Sequence, residues 1–239
     1  MSTEVTPKST PTIEQLVSGT ASQAAAVEQS RAVAEVQSAV MVAQAVPRDV
    51  GRAEAEMRDA CGRLALASRA FYSMPRGGQR VEGSTVHLAR ELARIWGNVD
   101  YGCRELRRDD AAGECEIQAY AWDQQTNVRS TRSFIVPHAR MAKKQRQQLT
   151  DLGDIYLNNQ NIGARAVREC IFTVLPAWFT ATAEEICNTT LREGEGEPLE
   201  ARVQKMLAAF GKFEVTEKMI AAKLGKPRTA WTAGDLKAL

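Results

Sequence analysis

Hydrophobic spacing divides the chain into helix-like and strand-like stretches. Val86, Ala89, Leu92, Ala93 and Trp96 recur three or four residues apart, the spacing of one helical face. Ser84 stands ahead as a cap, and Gly97 follows where a left-handed residue is wanted. Before this helix, Ala70 to Pro75 and Gln79 to Glu82 are short extended runs around Arg76-Gly77-Gly78, which reads as a hairpin. After it come strand-like runs at Val99 to Leu106, Glu114 to Trp122 and Val128 to Val136. Their connections are short and polar, so an antiparallel meander is the economical topology.

The flanks read as helices. Residues 1 to about 29 are rich in Thr, Ser, Pro, Ala and Gln and predict a disordered arm. Ser30 predicts a cap for a helix striped by Val33, Val36, Val40 and Ala43. Asp49 caps another, striped by Ala53, Met57, Cys61 and Leu64 and running to Ala67. Thr150 starts a helix to about Phe172, and Pro176 with Thr180 or Thr182 opens the next, Thr182 and Glu185 forming a capping box. Glu193 to Glu200 is an acidic linker, and residues 201–239 form a small helical module. Its stripes are Val203, Met206, Leu207 and Phe210, then Met219, Ile220 and Leu224 closed by Gly225, with a last helix entered at Thr232. The expected class is α+β: hairpin, helix and three-stranded antiparallel meander flanked by helices, with residues 30–192 as core.

Composition excludes several functions. A chain of 239 residues with 44% hydrophobic residues can bury a core, and a net charge of +2 is too small for a histone-like polycation. No apolar run is long enough for a membrane span and no signal-peptide order opens the chain, so a cytoplasmic protein is expected. The five cysteines lack a CxxC and read as reduced thiols; His87 and His138 fall in no metal or nucleophile motif. No GxxxxGK[ST] loop exists, Gly225-Lys-Pro-Arg lacking both its glycine spacing and its hydroxyl. Neither a metal nor a cofactor is expected.

One stretch departs from the general charge balance. From Val128 to Leu149, Arg129, Arg132, Arg140, Lys143, Lys144 and Arg146 occur with no acidic residue among them. Such a field suits a nucleic-acid backbone, the alternative being a solvated loop. Arg165 and Arg168, three apart on one helix face, extend it. Strand parity sends Arg129 and Arg132 to opposite faces, so a groove on one face takes only one of them.

The order of hairpin, helix, meander, basic loop and Arg-bearing helix, with Ala70-FYSMP, Val81-EG, Val99-DYG and Gly163-ARAVRECIFTVLPAWF179, resembles the core of phage single-strand annealing proteins of the Redβ/RecT group over about residues 45–190. The resemblance implies a Rad52-like sheet-plus-helix fold, ATP-independent annealing of complementary DNA strands in recombination, and assembly into rings or helical filaments. It also implies contact with the host single-strand-binding protein, here through residues 201–239, in a bacterial cytoplasm. Arg165 and Arg168 match its basic helix positions.

Annealing requires neutralised phosphates and free base edges, so Arg129, Arg132, Arg140, Lys143, Lys144, Arg146, Arg165 and Arg168 are the expected DNA contacts. Arg76, Arg80, Arg104, Arg107 and Arg108 form a second tier, the last three beside Asp109 and Asp110, where a neutral turn is the competing reading. Tyr101, Tyr120 and Trp122 either stack bases or fill the core, and His138 adds a phosphate donor. Trp96 and Trp178 read as packing residues. The alternatives are a plain single-strand-binding protein, a phage structural protein, and a nuclease using Asp109, Asp110 and Glu114. No enzyme activity is expected.

Overall fold

The computed structural model describes residues 23–76, 79–142 and 145–239. It divides into two units, residues 1–46 and 47–239. The described part of the first is the helix α1 (Gln23–Ala45). Ser30 lies inside α1 rather than at its start, and residues 23–29, expected in the arm, are helical. Alanine-rich sequence carries the helix on past the local cap signal; the remainder of the expected arm lies outside the described residues.

The second unit begins with α2 (Val50–Cys61), capped by Asp49 accepting from the Arg52 N–H at 3.0 Å. The helix expected to reach Ala67 breaks at Gly62 and resumes as α3 (Leu64–Ala70). Strands β1 (Phe71–Arg76) and β2 (Gln79–Ser84) form the expected hairpin, Phe71 opposite Ser84. Gly77 and Gly78, its expected turn, lie outside the described residues. Helix α4 (Val86–Trp96) is capped by Thr85, not Ser84, the Thr85 hydroxyl accepting from the Leu88 N–H. Ser84 instead ends β2 and donates to Glu184 at 2.5 Å. Gly97 closes α4 at φ +74°.

The meander is present: β3 (Val99–Asp109), β4 (Glu114–Asp123) and β5 (Val128–Pro137) pair antiparallel in that order, with β5 on an edge. The stretch read as a basic loop is partly a two-stranded ribbon, β6 (Ala139–Ala142) with β7 (Gln145–Gln148). Asp151, rather than Thr150, caps α5 (Leu152–Val174), its carboxylate accepting from the Asp154 N–H at 3.0 Å. Pro176 opens α6 (Ala177–Glu193), so the Thr182 and Glu185 pair falls inside a helix that had already begun.

The expected acidic linker is shorter than its sequence. Glu193 ends α6, Gly194–Gly196 form a 3-10 turn, and Leu199 already starts α7 (Leu199–Gly211). Helices α8 (Glu217–Leu224) and α9 (Ala233–Ala238) complete a small cluster around Val203, Ile220 and Trp231. Gly225 takes the left-handed position and the last helix is entered at Thr232, as expected, Thr232 forming a capping box with Asp235, whereas Met219 of the predicted stripe is exposed.

The main core lies where α2 to α6 meet one face of the sheet, with Met57, Leu88, Leu92, Ala119, Cys170, Ile171 and Phe179 fully enclosed. Helix α5 lies close on that face because it has no side chain at Gly163: a Cβ there would stand 2.5 Å from the Cys103 Sγ. Trp96 is buried, but Trp178, which meets it edge-on at 6.1 Å, stays half exposed. All five cysteines are free thiols, Cys103 half-buried and the others buried. Burial pushes the Cys103 and Cys115 thiols up from their ordinary values.

Candidate nucleic-acid interface

Cross-strand register separates the sheet into two different faces. Cys115, Ile117, Ala119 and Ala121 of β4 point to α5 and are buried. The opposite face carries Gln118, Tyr120 and Trp122, aligned with Arg104, Gly102 and Asp100 on β3 and with Ser133, Thr131 and Arg129 on β5. On it the Arg104 guanidinium lies 4.6 Å from the centre of the Tyr120 ring, and Arg129 lies 4.0 Å from Trp122. The contact on the partly exposed Tyr120 ring contributes about 0.5–1 kcal/mol, whereas Trp122 is buried at 7% exposure and donates to Asn127 at 3.1 Å. Tyr120 lies across Gly102, where a Cβ would come within 3.0 Å of its hydroxyl. Tyr101 has the opposite parity and packs against the main core, so it takes the core alternative.

Arg132 points to the helix-covered side of the sheet, as its parity requires, yet it remains exposed because β5 is the edge strand. Neither Arg129 nor Arg132 has a carboxylate partner among the described residues. On the ribbon, Arg140 faces Gln147 and Arg146 faces Met141, which places the two arginines on opposite ribbon faces. Arg140 reaches Asp154 only at 4.0 Å, and Arg146 is exposed without an ion pair among the described residues. Lys143 and Lys144 lie outside the described residues, as do the side chains of Arg76 and Arg80.

The helix arginines behave differently from each other. Arg165 is exposed and makes no ion pair among the described residues. Arg168 is held by Glu169 at 2.7 Å and lies 5.2 Å from the Tyr72 ring, its side chain only 18% exposed. Both stand on the side of α5 away from the sheet, whereas Arg104 and Arg129 stand on the sheet's far face. Among the described residues, the expected DNA-contacting arginines therefore do not all share one face of the chain.

The meander tip is neutralised internally. Arg107 contacts Asp109 at 2.9 Å and Glu114 at 3.3 Å, and Arg108 contacts Asp110 at 2.7 Å, the neutral-turn alternative. The Ala112 N–H, followed by Arg107, holds the Asp109 carboxyl below its ordinary value. Among the described residues no group of three or more His, Cys, Asp or Glu is arranged for a metal ion. His138, expected as a phosphate donor, is instead buried at 4% exposure with its Nε2 3.2 Å from the Cys115 Sγ, so it does not present a donor at the surface. His87 lies at the surface beside Arg69, 3.1 Å from its guanidinium.

Comparison with protein-family models, curated proteins and solved structures finds no match to this chain. Among the described residues, no helix is long and apolar enough to cross a membrane.

Sequence periodicity gave no reason to single out Tyr156. It shares the phase of the buried stripe of α5, yet it is 60% exposed. The signal was present only in combination, as an aromatic within the first two turns of a helix that follows directly on the basic ribbon.

Proposed function

We propose that this chain binds single-stranded DNA along the β5 edge and the β6–β7 ribbon and anneals complementary strands without ATP. The observation that carries the reading is the edge position of β5. An edge strand is reachable from both faces, so Arg129 and Arg132 flank the same path although their parity opposes them. Strand β5 alone extends about 33 Å at roughly 3.3 Å per residue, and no acidic residue interrupts the sequence from Val128 to Leu149.

Several of the other arginines are neutralised internally. Arg31, Arg58, Arg63, Arg94, Arg107, Arg108 and Arg228 are each engaged by carboxylates of their own chain. Arg129, Arg132 and Arg146 have no such partner among the described residues, as is also true of Arg52, Arg90 and Arg165. What sets the three apart is that they follow one another along a segment without acidic residues, and a row of cations of this kind is held most favourably by an external polyanion. Contacts to phosphates leave base edges free, which is what pairing requires. Lys226, from the segment nearest in sequence to a nucleotide loop, is instead bound to Asp235 at 2.7 Å.

Assembly of copies along the strand would carry the basic edge from one subunit to the next and complete the path that one chain leaves short. The helical cluster of residues 201–239 is the proposed contact for a protein partner, the host single-strand-binding protein. The deciding experiment mixes complementary oligonucleotides with and without the protein, at low salt and without nucleotide. Pairing should run clearly faster than the spontaneous reaction and leave the strands intact. A rate equal to the spontaneous one overturns the annealing reading. Tight strand binding without acceleration favours a plain single-strand-binding protein.

A further inference from the structure

Helix α5 projects its core-facing stripe beyond the part that the sheet covers. Leu152 is separated by three, seven and eleven residues from Ile155, Asn159 and Gly163, and Tyr156 by the same intervals from Asn159, Gly163 and Val167. These spacings define one helical face. Ile155, Asn159, Gly163 and Val167 are buried, whereas Leu152 is 64% and Tyr156 60% exposed. Tyr156 makes no hydrogen bond or ring contact among the described residues.

The surroundings of this uncovered face carry both signs, Asp151 at the cap and Asp154 in the first turn of α5 and the arginines of the adjoining ribbon. Asn158 of α5 donates to the Pro137 carbonyl at 3.3 Å, and Leu149 donates to the His138 carbonyl at 2.8 Å. These bonds fix the root of the β6–β7 ribbon beside the first two turns of α5. The Arg140 guanidinium, 4.0 Å from Asp154, lies at the same turn. Met141 and Arg146 are paired across the ribbon on one of its faces, Met141 being 70% exposed.

We propose that Tyr156, supported by Leu152, is a stacking platform for bases of the single strand whose phosphates run along the β5 edge and ribbon. The inference rests on the single-strand reading above and adds a base-contacting residue to it. Charge complementarity selects the occupant. A single strand brings flat apolar faces and an anion at each nucleotide; the overhang offers an aromatic ring and an aliphatic side chain, and the ribbon rooted beside it offers Arg140. A duplex hides its base faces, and an apolar protein helix would fill the overhang without using the cations. Stacking is tolerant of sequence because every base has a π-face.

The test uses the full chain and two oligonucleotides of equal length and charge, one mixed-sequence and one made of abasic sites. Fluorescence anisotropy is measured for the wild type, Tyr156→Ala and Tyr156→Phe, with circular dichroism confirming the fold and light scattering the assembly state. Tyr156→Ala should weaken binding of the base-bearing strand roughly 5- to 150-fold and leave abasic binding unchanged, with Tyr156→Phe retaining the wild-type affinity. Equal losses on both oligonucleotides, or no loss on either, overturn the stacking role while leaving the phosphate path standing. A changed assembly state with unchanged subunit affinity overturns it in favour of a protein contact. Failure of the wild type to bind either strand overturns the single-strand reading itself.

Discussion

Removing either partner of the Arg48 and Asp123 pair should destabilise residues 47–239 more than a surface ion-pair deletion does. The two side chains are 5% and 3% exposed, with guanidinium nitrogens 2.5 and 2.7 Å from the carboxylate oxygens. Arg48 also donates to the Gly97 carbonyl at 3.3 Å and lies 4.7 Å from the Trp96 ring. Asp123 additionally accepts from the Gln125 and Thr126 N–H groups at 3.1 and 3.3 Å, fixing the β4–β5 turn. Deleting one member of such a pair leaves an uncompensated buried charge, at a cost of about 3–5 kcal/mol. Asp123→Asn keeps an acceptor for the turn but leaves Arg48 with no neutral form to adopt, so it should cost the full amount at every pH. Arg48→Met leaves a carboxyl that can take up a proton, which limits its cost.

The pH dependence follows from the carboxyl. Burial would raise the Asp123 pKa, but Arg48 outweighs it and holds the group below the usual carboxylate range. Its contribution is thus fully present above the unfolded value near 3.9 and is lost as pH falls through the folded one. In Arg48→Met the burial that raises the carboxyl acts without the guanidinium that lowers it, so the deficit relative to wild type should shrink as pH falls from 7 to 5. Urea unfolding followed by circular dichroism at both pH values measures this. A domain of this size should lose roughly 8–15 °C in Tm for about 4 kcal/mol. The double variant Arg48→Met/Asp123→Asn should recover most of the loss. Equal, pH-independent costs below about 1 kcal/mol for both single variants would refute the assignment of a buried charge pair.

Replacing Arg129, Arg132 and Arg146 together by Gln should flatten the slope of log affinity against log salt by about two units, at roughly 0.7 per phosphate on a single strand. Arg168→Ala should change it little because Glu169 already engages that side chain; a larger effect for Arg168 than for Arg165 in anisotropy titrations would relocate the path to α5. Gly163→Ala should destabilise by about 1–3 kcal/mol through the clash with Cys103, despite a helix-propensity gain of up to about 1 kcal/mol. Adding Cys103→Ala should relieve it, and thermal unfolding of both variants is the check.

The elements that sequence located well were those with repeated spacing. The α4 stripe, the period-2 runs of the meander and the Val203 cluster each contain enough apolar positions to identify a face. The failures concentrate at boundaries where several hydroxyl or carboxyl side chains stand close together. Ser84 and Thr85 are both acceptable caps, and the choice fell to Thr85 because Ser84 is needed opposite Phe71 in the hairpin and is bonded to Glu184. That bond joins residues 100 positions apart, and no local pattern encodes it. The ribbon from Ala139 to Gln148 escaped for the opposite reason: its cations and glutamines lack an alternating apolar face, so pairing is its main organising feature.

The candidate site was legible as charge but not as geometry. An acid-free run identifies Arg129, Arg132, Arg140 and Arg146 from composition alone, whereas their usefulness to a ligand depends on which strand is at the edge. Had β5 been central, neighbours on both sides would have separated Arg129 and Arg132 by the thickness of the sheet. At the edge, their opposed parity instead sets cations on both sides of one linear track. The same placement has a second physical effect, because charged side chains discourage pairing of an exposed edge with another sheet. The two roles make different demands on salt: edge protection needs charge only on the free chain, whereas strand binding must release counterions with a slope that falls as each arginine is removed. Arg146, outside the three-stranded sheet, has no part in protecting its edge, so the loss of slope on Arg146→Gln alone separates a ligand track from a protected edge.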